Sequence, residues 1–128
     1  MNFRICIGST EGAISFGNVI YDKNSIQIES DFQESIVHEN ALGSIFCLGR
    51  AKSKDKSKKI TKCFDQISKQ SFNSILGELE GRFVLFFTTQ NSLYISSDKF
   101  GKLDIFYQKN ENNITLASNF DLLPESPA

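Results

Sequence analysis

The segment from Leu79 to Leu123 constrains the fold most, because it alternates short apolar runs with polar breaks. Its first run, Phe83 to Phe87, contains three phenylalanines, a valine and a leucine without interruption. Such a run is too short for a free-standing helix, and turn-forming residues bound it on both sides. We therefore predict that Phe83 to Phe87 forms a strand buried on both faces.

Three further runs in the same segment repeat this pattern. They are Leu93 to Ser97, Ile105 to Gln108 and Ile114 to Ala117. Short polar breaks rich in asparagine, serine, aspartate and glycine separate the runs, and these residues favour turns. Because the connections are so short, successive strands are expected to pair as antiparallel neighbours.

The first half of the chain contains more strand candidates. The sequence predicts a first strand at Phe3 to Ile7 and a hairpin formed by Ile14 to Tyr21 and Ser25 to Glu29. It predicts a later strand at Leu42 to Gly49. In the hairpin, Ile26 and Ile28 alternate with polar residues, which is the pattern of a half-exposed strand. The polar segment 30–40 has no pattern that predicts an element.

A lysine-rich region comes before a helical pattern. Between Arg50 and Lys62 there are six lysines interspersed with serines, without aromatic residues that could stack nucleic-acid bases. This composition predicts a solvated loop. From Ile60 to Leu79 the apolar residues recur mostly at steps of three, four and seven, which places them on one helical face. We predict one or two helices lying against the sheet, with Ser71 as a candidate cap for the second.

Length and charge limit the possible classes of function. A chain of 128 residues is expected to form a single domain, here 1–123, followed by a tail or linker at 124–128. A formal net charge of −1 provides no general field for attracting nucleic acid or an anionic membrane. No early apolar segment is long enough for a signal peptide or a membrane span. We therefore expect a cytoplasmic protein with no nucleic-acid or membrane partner.

The cysteines are three in number and far apart, at Cys6, Cys47 and Cys63. They lack the close spacing and the histidine support of a metal site, since His38 is the only histidine. We therefore expect no metal and no cofactor. Cys47 and Cys63 are expected to be buried, reduced thiols.

Three motifs after Leu79 occur in a distinctive order. The first is Leu-x-Gly-x-Phe, the second begins with Asp-Lys-Phe-Gly and ends in tyrosine, and the third is Leu-Ala-Ser followed by paired leucines. This order resembles the class II glutamine amidotransferase domain, and more narrowly the amino-terminal domain of asparagine synthetases and related amide-forming enzymes. The matching residues, which we expect to have structural roles, are Gly81, Phe83, Asp98, Phe100, Gly101, Tyr107, Ala117 and Ser118.

The resemblance implies a fold class. It predicts a shortened α+β fold of the amino-terminal-nucleophile (Ntn) hydrolase type, with layered antiparallel β-sheets and flanking helices. The chain departs from the family pattern at four positions. The family has arginine, proline, tyrosine and glutamate where this sequence has Ser97, Asp104, Phe106 and Asn119.

The resemblance also implies a catalytic apparatus, which is degenerate in this sequence. Active members of the family use a cysteine at the second position as nucleophile, with its own α-amino group as the base. Here the second residue is Asn2, which is not a nucleophile. The oxyanion motif of the family retains only its glycine, at Gly49, and lacks the side-chain donor. No arginine lies between Ser9 and Gly43 to bind a substrate carboxylate.

Three functional hypotheses remain open. The first is a non-catalytic amidotransferase-like domain that is a structural or binding module for an asparagine-synthetase-like, ATP-dependent amide-forming enzyme, in cis or in trans. The second is a glutamine hydrolase, activated by proteolytic removal of residues 1–5, which would make Cys6 the amino-terminal nucleophile. The third is an unrelated small β-rich binding protein. The sequence leaves the oligomeric state open.

Overall fold

The computed structural model describes residues 2–8, 17–23, 25–89, 92–98, 104–109, 111 and 113–123. Of these residues, 54% lie in strands and 13% in helices, so the protein is mostly β-structure. In chain order the elements are β1 (Phe3–Gly8), β2 (Asn18–Lys23), β3 (Ile26–Ser30), β4 (Ser35–Glu39), β5 (Ser44–Ser53), α1 (Ile60–Asp65), α2 (Phe72–Leu76), β6 (Leu79–Thr88), β7 (Leu93–Ser97), β8 (Phe106–Lys109), β9 (Asn113–Ala117) and a 3₁₀ turn (Phe120–Leu122).

The chain divides into two compact units. Unit 1 comprises Met1–Phe32 with Leu103–Ala128, and unit 2 comprises Gln33–Lys102. Unit 1 contains a five-stranded antiparallel sheet in the order β2-β3-β1-β9-β8. At its centre, Ile5 of β1 lies opposite Ile28 of β3 and Leu116 of β9. The first strand of the chain is therefore held between the third and the last.

Unit 2 contains a four-stranded antiparallel sheet in the order β4-β5-β6-β7. Its two central strands pair along their whole length, from Ser44 opposite Thr88 to Ser53 opposite Leu79. The run Phe83 to Phe87 lies in β6 and all its side chains are buried, which confirms the predicted strand. Side chains of both helices pack with one face of this sheet in a core that includes Cys47, Cys63, Phe64, Ile67, Phe72, Ile75, Leu85 and Phe87.

The predicted α+β fold of the Ntn-hydrolase type is wrong. The protein is mostly β, with two antiparallel sheets, and α1 and α2 have only six and five residues. The apolar stripe from Ile60 onward does pack into the core, but it does not form a long helix. Between the helices, Ser71 Oγ donates to the carbonyl oxygen of Gln66 at 2.7 Å and accepts from Ser68 N at 2.8 Å. Such side-chain bonds to the backbone compete with helical hydrogen bonds and interrupt the helix.

Several local boundaries also differ from the predictions. The segment without a pattern contains β4, and β5 continues to Ser53, so that it includes the first four residues of the region predicted as a loop. Ser71 does precede α2, yet its side chain makes no capping bond to that helix. The predicted tail at 124–128 and the motif residues Phe100 and Gly101 lie outside the described residues.

Candidate functional site

The start of β1 is the position at which the resembled family has its nucleophile. Here the backbone N–H of Asn2 donates to Asp31 Oδ1 at 2.6 Å, and its side-chain Oδ1 accepts from Ser118 Oγ at 3.1 Å. Phe3 N–H also donates to Ser118 Oγ, at 2.9 Å. Neither partner of Asn2 makes it reactive, because an amide side chain has no nucleophilic form at neutral pH. The motif residue Ser118 therefore joins the first strand to the end of the last.

Cys6 lies in the middle of β1, opposite Gln27 of β3 and Thr115 of β9. The residue is 2% exposed, and its Sγ lies 3.5 Å from Thr115 Oγ1. Cys47 and Cys63 are also buried, as predicted, and none of the three cysteines is in a disulfide. Burial raises the pKa of the Cys47 thiol to about 12, because a thiolate is poorly solvated in the core.

A buried ion pair lies next to Cys6 on the same strand. Arg4 Nε donates to Glu29 Oε1 at 3.0 Å, and Arg4 Nη1 donates to the carbonyl oxygen of Leu122 at 3.2 Å. Arg4 is 4% exposed and Glu29 is 3% exposed. The pattern of β3 predicted a half-exposed strand, yet its polar residue Glu29 is as buried as the apolar Ile28. This pair was not found from the sequence, since the alternating pattern does not identify which polar side chain meets a partner.

Four of the motif residues meet in the sheet of unit 2. Asp98 N donates to the carbonyl oxygen of Phe83 at 3.0 Å, and Phe83 N donates back to Asp98 Oδ1 at 3.1 Å. Phe83 in turn lies opposite Gly49, and Gly81 lies opposite Ala51. Asp98 thus extends the β6–β7 ladder with its side chain, which is a backbone role and not a catalytic one.

The two glycines of this group have conformations that other residues avoid. Gly49 has φ +97° and Gly81 has φ +124°. A Cβ atom at Gly49 would lie 2.5 Å from the carbonyl oxygen of Arg82, and one at Gly81 would lie 2.1 Å from that of Arg50. Both positions therefore require glycine because β5 and β6 approach each other closely there.

The other described motif residues lie in unit 1. Ala117 is fully buried in β9, opposite Phe106 of β8. Tyr107 of β8 is 71% exposed, and its neighbours Ile105 and Phe106 are also exposed. The structure therefore places the matching residues in two separate sheets, where those of unit 2 shape the backbone and Tyr107 contributes an exposed aromatic surface.

The described ranges were also compared with the requirements of a metal site and of a membrane span. No group of three or more histidine, cysteine, aspartate or glutamate side chains there is arranged to hold a metal ion. The sole histidine, His38 of β4, bonds through Nε2 to Asp65 Oδ1 of α1 at 2.6 Å, which ties this helix to the sheet. None of the described helices has the length and hydropathy that a bilayer span requires.

Comparison with known proteins adds no relative. No family model matches the sequence, and no similar protein was found among curated proteins or among solved structures.

Proposed function

We propose that this chain is a non-catalytic domain that acts by binding another protein. The observation that carries the proposal is the position of Cys6, the candidate nucleophile, inside the central strand of a sheet. A nucleophile must reach a substrate carbonyl, and a thiol that is 2% exposed between two paired strands does not.

Proteolytic trimming to Cys6 would also remove a large part of the packing in unit 1. Phe3, Arg4 and Ile5 are all buried, and they pair with β3 on one side and β9 on the other. Losing the two apolar side chains costs about 1.5–3 kcal/mol each. Losing Arg4 leaves the buried Glu29 without its cation, which costs about 3–5 kcal/mol. These losses are comparable to the whole stability of a typical domain, about 5–15 kcal/mol.

Two features support a binding role in place of catalysis. Gly49, Gly81, Phe83 and Asp98 serve the backbone of one sheet, so the retained motifs maintain a scaffold. Ile105, Phe106 and Tyr107 are consecutive and exposed, which leaves apolar side chains available to a partner protein.

The resemblance supplies the first partner to examine. We propose an asparagine-synthetase-like, ATP-dependent amide-forming enzyme, acting in cis or in trans, with the cytoplasm as the compartment. The three sequence motifs after Leu79 are the support for this choice of partner.

A glutaminase assay together with intact mass spectrometry tests the proposal. We expect the purified protein to keep the mass of an untrimmed chain and to release no ammonia from glutamine above the level of a Cys6→Ala control. Ammonia release from a species that begins at Cys6, abolished by Cys6→Ala, would refute the non-catalytic assignment. Co-purification with an asparagine-synthetase-like enzyme tests the proposed partner separately.

A further inference from the structure

Charge is distributed unevenly along this chain. Unit 2 has eleven lysines and arginines against seven aspartates and glutamates, whereas unit 1 has three against eight. The imbalance is steepest between Arg50 and Lys62, where seven basic residues accompany a single acidic one. A nearly neutral chain therefore contains one strongly basic segment.

Asp55, the one acidic residue in this segment, is hydrogen-bonded within the segment. Asp55 Oδ1 accepts from Ser57 N at 3.0 Å and from Ser57 Oγ at 2.7 Å, and these bonds hold the pKa of Asp55 below its ordinary value. Lys58 N donates to the carbonyl oxygen of Asp55 at 3.0 Å, and Lys54 N donates to that of Glu78 at 2.9 Å. The basic segment is thus an ordered turn tied to the chain just before β6.

The acidic residues around the segment also have partners already. Three of them pair with a cation: Glu34 with Arg50, Glu78 with Lys58, and Glu80 with Lys52. Asp65 bonds to His38, which is a cation only when it is protonated. The lysines left over are exposed and have no ion pair within the described residues; they are Lys54, Lys56, Lys59 and Lys62. We refer to these four as the lysine surface.

We propose that the lysine surface is the docking site for an acidic surface on the partner protein. The inference rests on the proposed binding function and specifies the chemistry of the partner. Four like charges close in sequence repel one another, and Asp55, the one carboxylate between Arg50 and Lys62, offsets only part of this repulsion. An acidic partner surface supplies the missing counter-charges, and the attraction speeds association.

The structure favours a protein over the other polyanions. Aromatic residues near the lysine surface, Phe64 and Phe72, are buried, so nothing exposed there stacks on nucleic-acid bases. None of the large exposed apolar residues lies between Arg50 and Arg82, so no side chain there is available to insert into a lipid bilayer.

Binding of a fluorescent oligo-glutamate peptide, followed by anisotropy at about 50 mM and about 300 mM salt, tests this proposal. The test variant is Lys56→Gln with Lys59→Gln. The matched control is Lys69→Gln with Lys109→Gln, which removes the same charge from exposed residues elsewhere. We expect the test variant to bind about threefold to tenfold more weakly at low salt, and the control less than about twofold more weakly. Both variants should melt at the wild-type temperature, since all four lysines are exposed.

Equal effects of the two variants would refute the proposal, because binding would then follow net charge alone. Tighter binding to a single-stranded RNA of equal charge, or to phosphatidylserine vesicles, than to the peptide would refute it in favour of that ligand. No binding at low salt would also refute it. These failures leave the non-catalytic assignment intact, whereas ammonia release in the glutaminase assay refutes that assignment whatever the lysine variants do.

Discussion

Replacing Gly81 with alanine is the sharpest test of the scaffold formed by β5 and β6. Gly81 has φ +124°, a conformation almost confined to glycine. An alanine Cβ would lie 2.1 Å from the carbonyl oxygen of Arg50 on β5, whereas ordinary contacts lie beyond 3.4 Å. Because both groups belong to backbone, no side chain can turn aside, and the two strands must separate locally.

The cost follows from three contributions. Holding a residue with a side chain at such a φ costs about 1–3 kcal/mol. Separating the strands gives up one or two ladder hydrogen bonds, worth about 1 kcal/mol each. The reduced freedom of alanine in the unfolded chain returns about 0.4–1 kcal/mol. We expect Gly81→Ala to lower the free energy of unfolding by about 2–4 kcal/mol, and the melting temperature by about 6–20 °C.

Urea unfolding followed by circular dichroism measures this difference directly. The matched control is Gly77→Ala, because Gly77 has an ordinary helical φ of −67° and the nearest atom to its Cβ position, the carbonyl oxygen of Ser74, lies at 3.3 Å. We expect the control to lie within about 1 kcal/mol of the wild type. If the two variants are equally stable, Gly81 does not have a φ of +124°, and the pairing of β5 with β6 at this point is incorrect.

Two further predictions concern unit 2. Asn40 Nδ2 donates to the carbonyl oxygens of Phe64 and Ile67, and its Oδ1 accepts from the backbone N–H groups of Leu42 and Gly43. Asn40→Ala should therefore lower the free energy of unfolding by about 2–4 kcal/mol. An unchanged melting curve would contradict these bonds. Arg50 lowers the pKa of Glu34, chiefly by hydrogen bonding, so an NMR titration should find this carboxyl below its ordinary pKa, with Arg50→Gln returning it. Because the folded-state pKa is the lower one, any stabilisation by this exposed pair is present above the ordinary pKa of glutamate and disappears as the pH falls through the lowered value.

The candidate site was only partly predictable from the sequence. The motif residues were identified by the order of short patterns, and the structure gives Gly49, Gly81 and Asp98 definite backbone roles. The reciprocal bonds between Asp98 and Phe83 were not predictable, because they depend on the register of β6 against β7. The lysine-rich region was recognised from composition, but which lysines lack counter-charges depends on partners far along the chain.

The predicted fold class was wrong because it followed the family resemblance, and the local sequence patterns do not specify how long the helices are. The apolar stripe after Ile60 indicates which residues face the core, and it is compatible with short helices as well as with long ones. The bonds among Gln66, Ser68 and Ser71 decide between them, and no periodicity contains that information.

The sequence by itself determined several strands of this protein, because alternation, apolar runs and turn residues act over a few neighbours. It also determined where charge and glycine are concentrated. The tertiary structure alone decided that β1 lies between β3 and β9, that Arg4 meets Glu29 in a buried pair, and that Cys6 is inaccessible. Those outcomes depend on contacts between residues far apart in the chain, whose free energy depends on the complete set of strand pairings and not on any local segment.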